Sequence, residues 1–459
     1  MLSTTFILLI AISLASFILG RYRIVRLAAQ ANAATHSLPS YHGSFVALWI
    51  GVPCLLFVLV WAALEPVILD AALLASLPPE QLQGLLQGEE NLLLAEIRSV
   101  SRGLVFGEPD PFVVEAAARL NAWKAVASWS MLAASLGLAA AILFVSYRRI
   151  ALHFRARQAV ERILSGLMVT CSVLAILVTL GIVSSLLFEA FRFFERVPVS
   201  EFLFGLNWEP QIPIRADQVA GSGAFGAIPV FMGTLLIAAI AMLVATPIGL
   251  FAAIYLAEYA NSRLRAIVKP IMEILAGIPT VVYGFFAVLV VAPALREAGN
   301  SLGLDVAPNS ALAAGSVMGI MILPFISSLS DDALAAVPRS LREGSYAMGA
   351  TKAETIRNVL LPAALPGIVG GVLLAVSRAI GETMIVVMAA GLIATLTVNP
   401  ADSVTTVTVQ IVTLLIGDTE FDNPKTLAAF ALGLLLFVIT LFLNVLALKI
   451  VQKYREKYD

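Results

Sequence analysis

The chain has 459 residues, of which 60% are hydrophobic and only 13% charged, and its mean hydropathy is +0.94. A soluble protein of this length does not need so many apolar residues, and several apolar runs of about 18 residues or more predict an all-α, polytopic transmembrane helical bundle. The runs are continuous instead of alternating, which argues against a β-barrel, and the net charge of −1 gives no reason to expect a nucleic-acid partner.

Nine apolar runs are long enough to cross a bilayer. They cover approximately residues 4–20, 45–68, 126–147, 163–190, 227–256, 271–293, 310–330, 364–394 and 426–450. Basic residues follow every second run: Arg21, Arg23 and Arg26; Arg148, Arg149, Arg155, Arg157 and Arg162; Arg263, Arg265 and Lys269; Arg339, Arg342, Lys352 and Arg357; and Lys453, Arg455 and Lys457. By the positive-inside rule these segments are cytoplasmic, so we predict an inner-membrane protein with its N-terminus outside and its C-terminus inside.

The first run has two interpretations. A cleaved signal peptide is one, but the run lacks a basic segment before it, and its arginines come after it. A reverse-oriented membrane anchor fits this charge order better. The cysteines lie in apolar runs and the histidines are scattered near loops, so we predict neither a disulfide framework nor a metal site.

The predicted organisation has two parts. Residues 1–162 form an extension with three spans and an outside segment, 69–124, which carries eight acidic and four basic residues and a helical-looking stretch. Residues 163–459 hold the other six spans. We find no internal repeat that would relate the two parts, and the sequence leaves the role of the extension open between docking, packing and regulation.

The predicted sixth span contains Gly277, Pro279 and Gly284. Proline removes a backbone donor and clashes with the preceding turn, and the flanking glycines add freedom. We therefore predict a break or kink in this span.

A cytoplasmic loop, residues 331–363, is predicted between the seventh and eighth spans, with two short amphipathic stretches separated at Gly349. Gly349 permits a sharp turn because it has no side chain, and Pro362 punctuates the return to the membrane. The loop would expose small and apolar residues: Tyr346, Ala347, Met348, Ala350 and Thr351. They suit the groove of a separate protein, although a loop resting on the lipid surface is an alternative.

The predicted eighth span carries Arg378 and Glu382. Arg378 lies about 14 residues into the span, roughly 20 Å from its start, where an arginine costs about 3 kcal/mol or more unless it faces protein or water. Glu382 follows four positions later on the same predicted helix face, with Gly381 between them. An intrahelical salt bridge with a structural role is one interpretation; an anion site at Arg378, held by Glu382 when empty, is the other.

The stretch EGSYAMGATKAETIRNVLLP, residues 343–362, resembles the EAA loop of ABC importer permeases. The spacing from Glu343 through Gly349 to Pro362 matches, while Gly344 and Ser345 replace two alanines and Val359 replaces isoleucine. The resemblance implies that this loop, with Glu343 and Gly349 as the matching positions, inserts into a separate ATPase subunit. The chain has no Walker A motif, so ATP and Mg are expected on that partner, with no cofactor and no enzymatic activity in this chain.

Two further segments resemble the PstC-type permease of the phosphate-specific (Pst) ABC importer. They are GIPTVVYGFFA, residues 277–287, and SRAIGETMIVVMAAG, residues 377–391. The resemblance covers about residues 163–455 and implies a type I ABC importer permease core (MetI-like). It places Arg378, Gly381, Glu382 and Thr383 on the translocation pathway.

The implied partners are a PstA-type sister permease in a heterodimer, an ATPase dimer and a periplasmic phosphate-binding protein. The implied function is ATP-driven phosphate import. Two alternatives stay open from the sequence: the same machine for molybdate, sulfate or phosphonate, and an ion-driven secondary transporter. The second class tends to show paired broken helices in inverted repeats, which we do not find here.

Overall fold

The computed structural model describes residues 2–78, 87–104, 110–211, 223–416 and 423–454. In these ranges nine helices are long and apolar enough to cross a membrane, which confirms the predicted all-α membrane bundle and the number of spans. They are Leu2–Ala31, Pro39–Ser76, Pro111–Arg149, Ala156–Phe194, Ile228–Tyr259, Thr280–Ser301, Ala311–Ala335, Lys352–Ile380 and Pro424–Lys453. The chain forms two compact units, 1–177 and 178–459, and the boundary lies inside a helix.

Among its described residues, the first unit contains four helices and the beginning of a fifth. These are α1 (Leu2–Ala31), α2 (Pro39–Ser76), α3 (Gln87–Ser101), α4 (Pro111–Arg149) and α5 (Ala156–Phe194). A glycine allows α1 and α2 to pack closely, because a Cβ atom at Gly43 would lie 2.6 Å from the carbonyl oxygen of Phe17. Helix α4 packs against both.

Helices α2 and α4 are longer than a bilayer requires. Their 38 and 39 residues span about 57 Å, against about 30 Å for the hydrocarbon layer. Helix α3 packs on α4 through an apolar cluster that contains Leu94, Ile97 and Leu120, and an ion pair joins Arg98 to Asp70 of α2. The helix predicted in segment 69–124 is therefore present from Gln87 onward; residues 79–86 lie outside the described ranges.

The second unit takes the rest of α5 and the elements after it. These are α6 (Val199–Phe204), β1 (Trp208–Glu209), β2 (Ala224–Phe225), α7 (Ile228–Ile254), α8 (Ser262–Ala276), α9 (Thr280–Phe286), α10 (Ala292–Ser301), α11 (Ala311–Ala335), α12 (Arg339–Ala347), α13 (Lys352–Thr355), α14 (Leu361–Ile380), α15 (Met384–Ala389), α16 (Val407–Leu415) and α17 (Pro424–Tyr454). The two strands pair antiparallel, with Trp208 opposite Phe225.

Small residues bring α7 and α11 together at the centre of this unit. A Cβ atom at Gly315 would lie 2.7 Å from the Ile240 side chain, and one at Gly319 would lie 3.0 Å from the carbonyl oxygen of Ala241. Close backbone approach at small residues is the usual basis of helix association in membranes. Helix α14 packs against α11, and α17 packs against α14.

Two predicted spans have the wrong limits. The sixth, predicted at 271–293, is interrupted between Ala276 and Thr280, and its crossing helix runs from Thr280 to Ser301. The eighth, predicted at 364–394, ends as a helix at Ile380 and is followed by a turn and the short helix α15. Both runs remain predominantly apolar beyond the point where the helix stops, so hydropathy alone does not reveal that point.

Pro362 does not mark the start of a membrane helix, contrary to the prediction, but lies inside one. The helix continues from Lys352 to Ile380, and a π-helical turn, Ile356–Leu360, comes directly before the proline. A proline ring clashes with the carbonyl group four residues earlier, which is Asn358 in this turn. The wider turn gives that carbonyl another position, so the helix accommodates the proline without breaking.

Asp331 and Asp332, with which the predicted cytoplasmic loop begins, lie instead near the end of α11. The Asp331 side chain is only 5% exposed and accepts hydrogen bonds from Arg265 at 2.8 and 2.9 Å and from Lys269 at 2.7 Å. This bond raises the pKa of Lys269 above its ordinary value. The contribution of the Lys269–Asp331 bond to folding stability is therefore present below about pH 10, the ordinary pKa of lysine. It is lost only as the pH rises through the raised pKa of Lys269.

Converting Asp331 to Asn is expected to destabilise the protein by about 2 kcal/mol, because two cations of α8 would lose their buried carboxylate partner. Asp332→Asn is the matched control: its side chain is 68% exposed and lies 3.9 Å from Lys269. Thermal unfolding of both variants in detergent measures the difference. Equal midpoints for the two would contradict a structural role for the Asp331 cluster.

Candidate translocation and coupling site

Arg378 lies in the last turn of α14, about 25 Å along the helix axis from Leu361. Its side chain is exposed, and its guanidinium carbon lies 5.7 Å from the centre of the Phe325 ring of α11. Among the described residues it has no acidic partner. The cation near the C-terminal carbonyls of α14 is electrostatically favourable, and its hydrogen-bond donors remain available to a ligand.

Glu382 does not pair with Arg378. Because α14 ends at Ile380, the two residues do not share a helix face, and the predicted i, i+4 pair is wrong. The Glu382 carboxylate instead accepts hydrogen bonds from the backbone N–H groups of Met384 at 3.0 Å and Ile385 at 3.4 Å. It thus provides acceptors for N–H groups at the start of α15 that have no partner within the helix, as N-terminal capping side chains do. The structure therefore shows no intrahelical salt bridge between Glu382 and Arg378.

The turn between α14 and α15 contains Gly381, Glu382 and Thr383. Gly381 has an ordinary φ of −86°, so its role does not depend on backbone freedom. The Thr383 hydroxyl donates weakly to the carbonyl oxygen of Gly381 at 3.4 Å, and the hydroxyl of Thr408 in α16 donates to that of Glu382 at 2.9 Å. Helix α16 thus fixes the turn that follows Arg378.

A polar contact next to Arg378 went unnoticed in the sequence. The Ser377 hydroxyl donates to the side-chain oxygen of Asn444 at 2.9 Å, which joins α14 to α17. Asn444 is a polar residue within a long apolar run, and such residues mark functional or interhelical positions in membrane proteins. That signal was present in the sequence.

The helical structure is interrupted at Gly277–Pro279, where the sequence predicted a break. Helix α8 ends at Ala276 and Pro279 precedes the first residue of α9. The hydroxyl of Tyr283 donates to the carbonyl oxygen of Leu275 at 2.8 Å and so bridges the two helices. Gly284 is not part of the break. It lies inside α9, where a Cβ atom would lie 2.5 Å from the sulfur of Met388, so it permits α9 to contact α15.

The predicted cytoplasmic loop, 331–363, forms a helical hairpin of α12 and α13. Gly349 has φ +84°, and the N–H groups of Gly349 and Ala350 donate to the carbonyls of Tyr346 and Ser345. This is a Schellman motif, which ends α12 at a residue that must adopt the left-handed conformation. A capping box of Thr351 and Glu354 then starts α13.

The tip of this hairpin is exposed. Met348 is 88% exposed and Tyr346 is 42% exposed. Of the other residues predicted to face the partner, Ala347 and Thr351 are exposed and Ala350 is half-buried. An apolar side chain so fully exposed at a turn is suited to insertion into another protein.

The remaining positions of the EAA-like motif differ in exposure. Glu343 and Gly344 are exposed on α12, and Pro362 is exposed on α14. Ser345 is half-buried, and its hydroxyl lies 2.9 Å from that of Thr355, which is fully buried. The serine therefore fixes α12 relative to the helix that leads to Arg378.

Comparison with protein families gives two matches. A model described as "Binding-protein-dependent transport system inner membrane component" matches residues 245–456. A second model, described as "Phosphate ATP-binding cassette transporter", matches residues 6–178. The second match covers the extension, which the motifs read from the sequence did not reach.

Individual relatives match over most of their own length. The "Probable ABC transporter permease protein YqgH" of Bacillus subtilis is 37% identical over 256 residues, 56% of this chain and 78% of that protein. The "Phosphate transport system permease protein PstC" of Mesorhizobium japonicum is 36% identical over 241 residues, 49% of this chain and 72% of that protein. A "Probable phosphate transport system permease protein PstC" of Methanocaldococcus jannaschii is 31% identical over 278 residues, 58% of this chain and 87% of that protein.

Proposed function

Since the chain belongs to the PstC family of ABC transporter permeases, we propose that it is a membrane-spanning subunit of an ATP-driven phosphate importer. The observation that carries this proposal is Arg378: a guanidinium about 25 Å along a membrane helix, exposed and without an acidic partner among the described residues. An arginine is costly against lipid, so this face of α14 is expected to contact a second subunit and an aqueous path.

The chemistry of Arg378 suits a tetrahedral oxyanion. Its planar fork donates two parallel hydrogen bonds to two oxygens, which a lysine ammonium cannot do. Thr383 and Gly381 lie in the adjacent turn, so the pathway residues are assigned to one short stretch after α14. Glu382, engaged with α15, positions that turn and is not assigned to the anion.

The proposed machine needs partners, because this sequence contains no Walker A motif. A PstA-type sister permease would complete the pathway, and two ATPase subunits would bind ATP and Mg and dock on the hairpin at Gly349. A periplasmic phosphate-binding protein would deliver the anion. In this arrangement the N-terminus is outside, the C-terminus is cytoplasmic, and the permease core is residues 163–459 after an extension at 1–162.

The proposed mechanism is alternating access, in which the ATPase acts on the hairpin and the spans move in response. ATP would draw the ATPase pair together, the coupling loops would follow, and the spans would rock from inward-facing to outward-facing. Each ligand must bind one of these states better than the other for the cycle to run. The helix break at Gly277–Pro279 lies beside the moving elements and is assigned to this rearrangement.

Affinity purification of the tagged chain from its native membrane, followed by uptake of labelled phosphate into proteoliposomes, tests the proposal. An ATPase subunit is expected to co-purify, and uptake is expected to require ATP. Arsenate, which shares the shape and protonation of phosphate, should compete, whereas sulfate and molybdate at the same concentration should not. Uptake without ATP, or equal competition by sulfate, would contradict the proposed function.

A further inference from the structure

The hairpin of α12 and α13, here called the coupling hairpin, contacts the membrane helices through Arg342, among other residues. Arg342 belongs to α12, and its Nη2 atom lies 3.2 Å from Oε1 of Glu258 and donates to the carbonyl oxygen of Leu334 at 2.9 Å. The Arg342 side chain is 22% exposed and that of Glu258 only 8%. One guanidinium therefore contacts the ends of two spans.

Both contacted residues lie at the ends of closely packed helices. Glu258 is in the π-helical turn Tyr255–Tyr259, which ends the span that begins with α7. Leu334 is in the last turn of α11 and is fully buried. Because α7 and α11 form the central contact of the second unit, a force on either end is transmitted along the pair.

The ion pair is not fully satisfied. Glu258 Oε1 and Arg342 Nε are buried and have no hydrogen-bond partner, although the two side chains are in contact. The 3.2 Å approach is thus an attraction of charges without hydrogen-bond geometry. A carboxylate this buried is costly without a partner, so its energy depends on where α12 holds the guanidinium.

The hairpin has a second contact, through Ser345, with the helix that carries Arg378. The Ser345 hydroxyl contacts Thr355, in the helix that continues into α14 and ends at Arg378. The two contacts are three residues apart on α12. Movement of the exposed tip at Met348 therefore reaches α7 and α11 through Arg342, and α14 through Ser345.

We propose that Arg342 is a positioning residue for transport: it couples movement of the docking hairpin to the spans through Glu258. This inference rests on the proposed function, because it assigns the moving force to an ATPase bound at the hairpin tip. Its sequence signal is weak, since the two partners are far apart in the chain and neither lies in the two motif segments, 277–287 and 377–391.

The test uses the whole complex in proteoliposomes with the ATPase and a phosphate-loaded binding protein. Arg342→Gln and Glu258→Gln are each expected to lower the maximal uptake rate by about tenfold or more, while the phosphate concentration for half-maximal uptake changes by less than about twofold. The ATPase should still co-purify, but the loaded binding protein should no longer stimulate ATP hydrolysis. Exchanging the charges, Arg342→Glu with Glu258→Arg, should restore part of the rate.

Arg339→Gln is the matched control, since it removes the same charge from an exposed position on the same helix. Arg342→Gln behaving like this control would overturn the inference, as would loss of ATPase co-purification in Arg342→Gln, which would assign the residue to docking. Failure of the exchanged pair to recover any rate beyond the single variants would also overturn it. Absence of an ATPase from the unaltered complex would instead overturn the proposed function itself.

Discussion

Replacing Arg378 with glutamine is expected to reduce phosphate uptake by about 100-fold or more while leaving the complex assembled. The variant keeps a polar side chain of similar length and removes the charge and the fork. Two charge-assisted hydrogen bonds of about 1.5–3 kcal/mol each would be lost from the bound anion, which is sufficient for such a decrease. The measurement is labelled phosphate uptake, with co-purification of the ATPase as the assay of assembly.

Two further variants separate charge from geometry. Arg378→Lys keeps the cation and loses the planar fork, so an intermediate rate is expected. Arg296→Gln is the control for removing an exposed arginine elsewhere in the same unit, on α10, and should transport normally. Normal uptake by Arg378→Gln would refute the assignment of this residue to the anion path. Loss of the ATPase from that variant would show that its role is structural.

The environment of Arg378 illustrates what the sequence could and could not provide. Its depth in an apolar run was readable, because charge in such a run is costly wherever the helix lies. Its partner was not, since the i, i+4 relation with Glu382 assumed a helix that in fact ends at Ile380. The three residues Gly381 to Thr383 interrupt an otherwise apolar run only briefly, so hydropathy did not show that the helix ends and a short helix, α15, follows.

Contacts between distant segments were equally out of reach. No local motif marks Glu258 or Arg342 in the sequence, and the fold brings them to 3.2 Å across 84 positions of the chain. The predicted start of the cytoplasmic loop at residue 331 is wrong for the same reason: the apolar run stops before Asp331, but α11 continues to Ala335, and the partners of Asp331, Arg265 and Lys269, lie on α8.

Local chemistry was more readable. The turn at Gly349 followed from the absence of a side chain, and the observed φ of +84° is a conformation that other residues rarely adopt. A second local signal, Thr351 followed three residues later by Glu354, is the sequence signature of a capping box and would have predicted the start of α13. Such motifs depend on a few adjacent residues, so the rest of the fold does not alter them.

Replacing Gly349 with valine is expected to abolish ATPase co-purification and uptake together. A β-branched residue at this φ is a steric outlier, at a cost of about 1–3 kcal/mol, and the exposed hairpin has few contacts with which to offset that strain. The turn is therefore expected to open, and Met348 and Tyr346 would no longer be presented as one tip. Both losses should appear in the same variant, because docking precedes every later step of the cycle.

Two substitutions make this prediction specific to the hairpin turn. Gly303→Val introduces the same strain at φ +73° in the turn after α10, where a Cβ atom meets nothing within 4 Å, and it should retain the ATPase. Gly349→Asn should recover much of the binding, because asparagine adopts the left-handed conformation more readily than other side chains. Full docking by Gly349→Val would mean that the partner recognises a different surface. Equal failure of valine and asparagine would indicate instead that any side chain at position 349 collides with the partner, in which case the glycine provides space at the interface and its backbone freedom is secondary.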